Sequence, residues 1–529
     1  MANKLRPSSR SGSLSGSLSG SLSVPVSGPR DLEFGKGRSA KLASIFGGSG
    51  VTIGPRICDI PEYLKDEVSE GEGESSEAIL NRQLASEDGA AIQYRTCSWQ
   101  KTAALLFSEY ICLAIMSFPW SYSYLGLVPG LILTVVVAAI VLYTSLVLWE
   151  FCLRHPEIRD VCDLGQTLFW GKEWAWWGTA VMFVLNNTFI QALHVLVGAE
   201  YLNTMTERTV IGGCRTVEFS VVIVVICWLA SLPRTFSMMS KLGTASAFFT
   251  LISVVLATAF AGVQGKPAGY SLEKGEPIVT AVPVASTTFV QGMAAFLNIS
   301  YTFIGQITLP SFIAEMRDPR EFPKSLWACT IAEIIVFSVV GAVIYAYSGN
   351  QYVKAPAFGS LDDLYKKVSF SFMIPTIIFL GCLYASVTAR FVFFRVFRNS
   401  KHLSDHTVVG WGSWAAILLT TWILAFVISQ ISDADPALLV LSVMSSLFDS
   451  WFGFIFWGVA YFRMRTADKT VGRKRNPIGD WLSMGLNVVI ILTGFFFLTA
   501  GTYASVQGII DSFNAGEVGG VFSCKSNGL

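Results

Sequence analysis

Apolar runs long enough to cross a lipid bilayer recur about every forty residues along this chain. A bilayer core about 30 Å thick needs roughly 20 apolar residues per helix, and about eleven segments of the sequence meet that length. Charged residues make up only 14% of the chain and hydrophobic residues 52%, whereas soluble domains contain roughly 25% charged residues. We therefore predict an all-α polytopic membrane protein with about 11 transmembrane helices in one domain, residues 96–505.

The segments outside this domain differ in charge and composition. Residues 1–95 contain the low-complexity repeat SGSLSGSLSGSLS and a later acidic run, which predicts a disordered tail. With the tail placed in the cytoplasm, inner connections collect roughly eighteen Lys and Arg residues and outer ones roughly eight. This bias predicts a cytoplasmic N-terminus and a short extracytoplasmic C-terminal tail, residues 506–529.

The ten cysteines show no zinc-like spacing, and most lie inside the predicted helices. Cys214 and Cys524 are the two exceptions, because the topology puts both on the outer, oxidising side. We predict that these two residues are candidates for a disulfide bond.

Two of the predicted helices are interrupted at corresponding places. The first contains Ser117 and Pro119 near its middle, and the sixth contains Gly305 and Pro310. Proline cannot donate a helical hydrogen bond and clashes with the preceding turn. Because the two interrupted helices lie five spans apart, an odd number, the second half must run in the opposite direction. The sequence therefore predicts a 5+5 inverted repeat with broken helices 1 and 6, as in transporters that work by alternating access.

Such breaks expose backbone groups that could bind a zwitterion. Amide groups near the first break would face a carboxylate, while free carbonyls near the second break would accept an amino group. Aromatic side chains could wall an apolar pocket there, although simple packing is the alternative. The predicted substrate-binding residues are Ala114, Ile115, Met116, Ser117, Phe118, Tyr301, Phe303, Gly305 and Gln306.

These residues resemble the amino acid/auxin permease family of the APC superfamily, particularly the neutral amino acid permeases of filamentous fungi. The stretch from Cys112 to Pro119 is similar to the family's Gly-x-Gly-x-Leu-x-Leu-Pro break, with Cys112 and Ala114 in place of the glycines. The stretch from Phe303 to Gln306 and the following Glu-Met-Arg-Asp-Pro-Arg-Glu-Phe match the sixth-helix pattern, with Gln306 where histidine is common. The resemblance implies an eleven-helix, leucine-transporter-like fold. It also implies proton-coupled uptake of neutral aliphatic and aromatic amino acids at the plasma membrane.

Four ionisable residues lie within predicted spans, where a charge is expensive and therefore often functional. They are Glu109, His194, Glu333 and Asp449. Glu109 precedes the first break by about one turn and is our first candidate for proton coupling. The alternative for Glu109 is a carboxylate that reaches the water of the inner vestibule, for Glu333 and Asp449 a structural role, and for His194 a neutral hydrogen bond between helices. Sodium coupling is the rival, with Ser386 and Thr388 as candidate hydroxyl ligands.

Other classes of function find less support in the sequence. A net charge of +1 gives no basic face for nucleic acid. Only four histidines are present, without a metal or nucleophile motif, so we expect neither an enzyme nor a metal or other cofactor. The expected partners are a neutral amino acid, a proton or sodium ion, and the lipid bilayer. A non-transporting amino acid sensor on the same fold remains an alternative.

Overall fold

The computed structural model describes residues 45–48, 50–58, 76–87, 95, 97–158, 160–207, 215–234, 236–397, 400, 402, 407–430, 441–473, 477–515, 522, 524 and 526–529. Within these ranges the secondary structure is helical, apart from an isolated bridge between Cys97 and Met316.

Among the described residues, eight helices are long and apolar enough to cross a membrane, and a ninth span is a bent helix pair. A 17-residue helix and a second interrupted pair occupy the remaining two predicted positions, so the helices agree with the eleven predicted spans. In chain order, spans 1 to 11 are Trp99–Tyr110 with Leu113–Leu125, Leu127–Arg154, Glu173–Thr206, Arg215–Ser231, Phe236–Val263, Phe289–Phe303 with Leu309–Ala314, Phe322–Tyr352, Ile374–Val396, Val408–Ser429, Leu441–Thr470 and Pro477–Asn514. The predicted fold class is confirmed.

The spans expose apolar side chains and enclose polar ones, as a lipid environment requires. Span 2 is typical: Ile132 and Val135 are exposed, whereas Thr134 and Thr144 are buried and bond carbonyls one turn earlier. Half of the residues in its most apolar 18-residue stretch are buried inside the protein. The exposed half therefore faces lipid, and the buried half packs against spans 7, 10 and 6.

The first span breaks earlier than the proline suggests. Its first half ends at Tyr110, the backbone leaves helical geometry at Ile111 and Cys112, and a 3₁₀ turn covers Leu113–Ser117. The two halves meet at a bend of 45°. Pro119 lies in the first turn of the following helix, where its missing N–H costs nothing. Proline thus starts the second half-helix and does not mark the break itself.

The sixth span is interrupted in the same manner. Its first half ends at Phe303, and its short second half begins at Leu309 with Pro310 in the first turn. The residues between them, from Ile304 to Thr308, form the break. Both halves of the chain therefore begin with an interrupted helix, as predicted.

Two segments of the N-terminal tail pack against the ends of the spans. A helix at Ser76–Glu87 bonds the carbonyl of Arg154 through Ser76 Oγ, at 2.7 Å. Arg56 forms an ion pair with Glu157, which is buried in the connection after span 2. The expectation of a wholly disordered tail therefore does not extend to residues 50–58 and 76–87. Residues 1–44 lie outside the described ranges, and the predicted domain boundaries stay predictions.

His155 holds the tail through a defined tautomer. The backbone N–H of Ile57 donates to His155 Nε2 at 3.1 Å, so this nitrogen must be unprotonated, and Nδ1 lies 3.0 Å from Glu157 Oε1. Burial lowers the pKa of His155 below its ordinary value of 6.5. Burial favours a higher pKa for Glu157, but the His155 hydrogen bond and Arg56 outweigh it and lower that pKa. The contact thus requires a neutral imidazole.

Of the two cysteines predicted to pair, Cys524 is disulfide-bonded. Cys214 lies outside the described residues, so the pairing itself stays a prediction. The eight other cysteines, all within the described residues, form no disulfide bond.

Candidate functional site

A cavity of about 540 Å³ lies beside the first break. Span 1 lines it with Cys112, Leu113, Ala114 and Ser117. Span 3 adds Leu193, His194 and Val197, and the remaining walls come from Tyr301, Ala355, Pro356, Ile377 and Leu441. We call this cavity the first chamber. Among the described residues that line it there is no Asp, Glu, Lys or Arg side chain.

The chamber includes the start of the 3₁₀ turn that follows the first break. The first N–H groups of any helix lack partners within the helix, and Cys112, the residue at the N-cap of this turn, provides no side-chain cap. The backbone here therefore offers hydrogen-bond donors at the cavity wall.

Asn298 of span 6 ties the second half of span 1 to the other broken helix. Its Nδ2 donates to Ser121 Oγ at 2.7 Å and to the Ser117 carbonyl at 3.3 Å, and its Oδ1 lies 2.9 Å from Ser117 Oγ, whose single hydrogen is shared with the Ala114 carbonyl at 2.5 Å. All three side chains are buried. The two half-helices are thus joined by a polar clasp directly behind the cavity wall formed by Ser117.

The structure places seven of the nine predicted substrate-binding residues in two groups, and Gly305 and Gln306 lie in the second break. Ala114, Ser117 and Tyr301 line the first chamber. The other apolar members are packed between spans 1, 6 and 7, away from the chamber lining. They are Ile115, Met116, Phe118 and Phe303.

The two aromatic members of that group pack against each other and a third ring. The ring centroids of Phe118 and Phe303 are 6.3 Å apart, and both contact Phe337. These two rings pack between the broken helices and are not among the residues that line the first chamber. Simple packing was the alternative to a role in the pocket wall.

Gly305 allows the second break to approach the end of the first half-helix. A Cβ atom added at Gly305 would stand 2.6 Å from Cε1 of Tyr110 and 2.8 Å from its hydroxyl oxygen. Any larger residue would have to push this ring aside, so the glycine permits close contact of the two breaks.

Glu109 lies where three elements meet. Its Oε1 is 2.8 Å from Thr308 Oγ1 in the second break and 2.8 Å from the Tyr384 hydroxyl on span 8. Its Oε2 is buried and has no hydrogen-bond partner among the described residues. Of the four ionisable candidates, Glu109 is therefore the one bonded directly to a break.

A second, smaller chamber of about 320 Å³ lies on the other side of Tyr301, which lines both cavities. Its walls include Asn186, Gln306, Tyr384 and Asp449. Gln306 donates through Nε2 to Thr144 Oγ1 at 3.0 Å. The predicted residues Gln306 and Asp449 are thus brought together, but away from the first chamber.

The other two ionisable candidates have separate surroundings. His194 lines the first chamber, and its Nδ1 lies 2.7 Å from the carbonyl oxygen of Ile190, so that nitrogen carries the hydrogen. Glu333 is buried on span 7 and accepts a hydrogen bond from Cys329 Sγ at 3.0 Å. Glu333 lines neither chamber.

The candidate sodium ligands lie on span 8. Thr388 Oγ1 accepts a hydrogen bond from Asn187 Nδ2 and donates to the Tyr384 carbonyl, both at 3.0 Å. Ser386 Oγ is buried without a hydrogen-bond partner in the described part of the chain. Neither residue lines a chamber.

Sequence reasoning missed Asn298, Thr308 and Tyr384. Asn298 begins the tripeptide Asn-Ile-Ser inside span 6, so its buried position was readable from the sequence, but its partners on span 1 were not. Thr308 and Tyr384 carry no local signal, because their role comes from a residue about two hundred or more positions away in the chain.

A bundle of apolar spans with two interrupted helices and cavities beside the interruptions is the arrangement of secondary transporters. The chain belongs to the family described as transmembrane amino acid transporter protein, which matches residues 95–507. The resemblance to amino acid/auxin permeases is therefore confirmed, and the protein is a multi-pass membrane transporter of amino acids.

Relatives of known description agree with this assignment. The N amino acid transport system protein of Neurospora crassa is 30% identical over 478 residues, which cover 88% of this chain and 96% of that protein. A transmembrane transporter of Gibberella moniliformis is 29% identical and covers 89% of this chain and 98% of its own length.

Solved structures also align with the chain. A sodium-coupled sialic acid symporter, in a substrate-bound outward-open state, aligns with 85% of this chain and 99% of its own, at 13% identity and a TM-score of 0.46. MhsT in complex with L-phenylalanine aligns with 79% of this chain and 99% of its own, at 11% identity and a TM-score of 0.46.

Proposed function

We propose that the protein imports neutral amino acids with aliphatic or aromatic side chains, by proton symport and alternating access. The observation that carries the proposal is the first chamber, a largely apolar cavity at the first break whose described lining residues include no Asp, Glu, Lys or Arg. An amino acid with a charged side chain would find no countercharge among the residues lining this chamber. A neutral side chain would instead gain from leaving water.

The broken helices supply the groups that a zwitterion needs. The substrate carboxylate would bind near the uncapped backbone amides at Leu113 and Ala114, aided by the positive end of the turn. The ammonium group would bind toward Tyr301, on the side of the second break.

Glu109 is the group that we propose to carry the coupling proton. The Thr308 hydroxyl has one hydrogen, and it lies within bonding distance of both Glu109 Oε1 and the Gly305 carbonyl, at 2.8 and 2.9 Å. When Glu109 is ionised, this hydrogen is drawn to the carboxylate. When Glu109 is protonated, the hydrogen can return to Gly305, so the proton changes the bonding of the second break.

The orientation follows from the charge bias of the sequence. We propose a plasma-membrane protein with residues 1–95 in the cytoplasm, a transport domain at 96–505 and an extracellular segment at 506–529. The tail contacts at Glu157 and Arg154 would then lie on the cytoplasmic face. Antibody access to tags at each terminus, in intact and permeabilised cells, tests this arrangement.

Uptake into proteoliposomes tests the substrate class. A panel of neutral, acidic and basic amino acids should show saturable uptake of the neutral members alone. Leu193→Trp, which fills the first chamber, should reduce uptake at least tenfold. Leu185→Trp on the same helix is the matched control, because Leu185 is exposed on the apolar surface. Equal uptake by the two variants would argue against this chamber.

Ion gradients test the coupling. A pH jump at fixed sodium should drive accumulation, whereas a sodium jump at fixed pH should not. Accumulation with sodium alone would favour the sodium rival at Ser386 and Thr388. Binding without any uptake would indicate a sensor.

A further inference from the structure

The second chamber contains buried oxygen atoms that the transport scheme above does not use. Its wall residues Asp449 and Gln306 are 5% and 0% exposed. Oδ2 of Asp449 and Oε1 of Gln306 have no hydrogen-bond partner among the described residues. Buried polar atoms are normally satisfied, so two such atoms at one cavity need an explanation.

The orientation of the Gln306 amide is fixed by its neighbour. Thr144 Oγ1 donates its single hydrogen to the Val141 carbonyl at 3.0 Å, so toward Gln306 it can only accept. The amide nitrogen must therefore point at Thr144, and the amide oxygen must point away from it. Reversing the amide would set two acceptors against each other.

Asp449 is presented by an irregular stretch of span 10. Residues Ser445–Ile455 form a π-helix, a geometry that is rare and often found at functional sites. The described residues that line the chamber include Asp449 but no Lys, Arg or His. The carboxylate thus has no cationic side chain in the lining to balance it.

We propose that the second chamber is a ligand site for a monovalent cation, either an alkali metal ion or an ammonium group, held by Asp449 and Gln306. Oxygen atoms are the ligands that such cations take, and one carboxylate matches one positive charge. The hydroxyl of Tyr384 lines the same chamber while it donates its hydrogen to Glu109. Tyr384 would therefore connect a cation bound in the second chamber with Glu109.

Thermal unfolding of the purified full chain in detergent tests this site without any transport measurement. Sodium, potassium and methylammonium chloride are titrated at constant ionic strength against choline chloride. At least one of them should raise the unfolding midpoint saturably, by about 1–4 °C. An effect of sodium or potassium identifies an alkali ion, and an effect of methylammonium alone identifies an ammonium group.

Two variants and one control locate the effect. Asp449→Asn should raise the half-maximal cation concentration at least tenfold, and Gln306→Leu should raise it severalfold. Glu200→Gln should leave it within twofold, because Glu200 is a buried carboxylate on span 3 that lines neither chamber. If Asp449→Asn does not fold, Gln306→Leu decides the result.

The proposal is overturned if no cation raises the midpoint beyond choline. It is also overturned if the rise persists unchanged in both variants. A midpoint that responds to pH alone would mean that Asp449 binds only a proton. Because no uptake is measured, these outcomes leave the proposed transport activity to its own experiment.

Discussion

Replacing Asn298 by leucine should weaken substrate binding, because it opens the clasp between the two broken helices. Leucine has a similar volume but makes none of the three hydrogen bonds that Asn298 forms with Ser117 and Ser121. Hydrogen bonds between membrane helices contribute about 0.6 kcal/mol each on average, and the Ser117 hydroxyl shares its hydrogen with the Ala114 carbonyl, so the clasp contributes about 1–2 kcal/mol. These hydrogen bonds hold Ser117 at the chamber wall in the wild-type protein. Without them a smaller fraction of the protein is competent to bind substrate, so the apparent Kd for substrate rises about 5- to 30-fold.

Equilibrium binding of a radiolabelled neutral amino acid to purified protein measures this change. Ser300→Ala is the matched control, since Ser300 is buried on the same helix and its hydroxyl has no hydrogen-bond partner in the described structure. Its Kd should stay within twofold of the wild-type value. The reasoning is refuted if Asn298→Leu also stays within twofold, or if Ser300→Ala weakens binding as strongly.

Three further predictions follow from single contacts. Glu109→Gln should abolish proton-driven accumulation of substrate in proteoliposomes but retain exchange of labelled for unlabelled substrate. Loss of both activities would indicate that Glu109 has a structural role. Gly305→Ala should lower the free energy of unfolding by about 1–3 kcal/mol, because the alanine Cβ would stand 2.6 Å from Cε1 of Tyr110. An unchanged midpoint of thermal unfolding would count against this close contact between Gly305 and Tyr110. The contact between Ile57 and His155 requires a neutral ring whose pKa lies below 6.5, so it should weaken as the pH falls below about 6.5. The protection factors of residues 50–58 in hydrogen exchange, which correct for the base-catalysed intrinsic rate, should then be lower at pH 5.5 than at 7.5, and equal protection factors would exclude the histidine.

The sequence predicted the existence of the two breaks better than their positions. Pro119 and Pro310 correctly indicated which helices are interrupted, but each lies in the first turn of the half-helix after the break. The interruption itself falls on Ile111 and Cys112 in span 1, residues with no distinctive local preference. A proline shows where a helix can begin, whereas the end of the preceding half depends on its packing partners.

The candidate site residues also differ in whether the sequence alone could identify them. Glu109 could be chosen from the sequence, because a carboxylate in an apolar span is expensive wherever it lies. Its two hydroxyl partners could not be chosen, since threonine and tyrosine are ordinary residues in membrane helices. Phe118 and Phe303 were chosen for their aromatic character, and the structure packs them against Phe337 instead of the chamber.

The sequence by itself determined the membrane class, the number of spans and the pair of broken helices. Each of these follows from local properties: the length of an apolar run, the missing donor of proline and the spacing of two interruptions. The tertiary structure alone decided which polar side chains meet. Asn298 reaches Ser117, and Tyr384 reaches Glu109, across separations of 181 and 275 residues. Such pairs form because a buried polar group in a membrane protein must find its partner on a neighbouring helix.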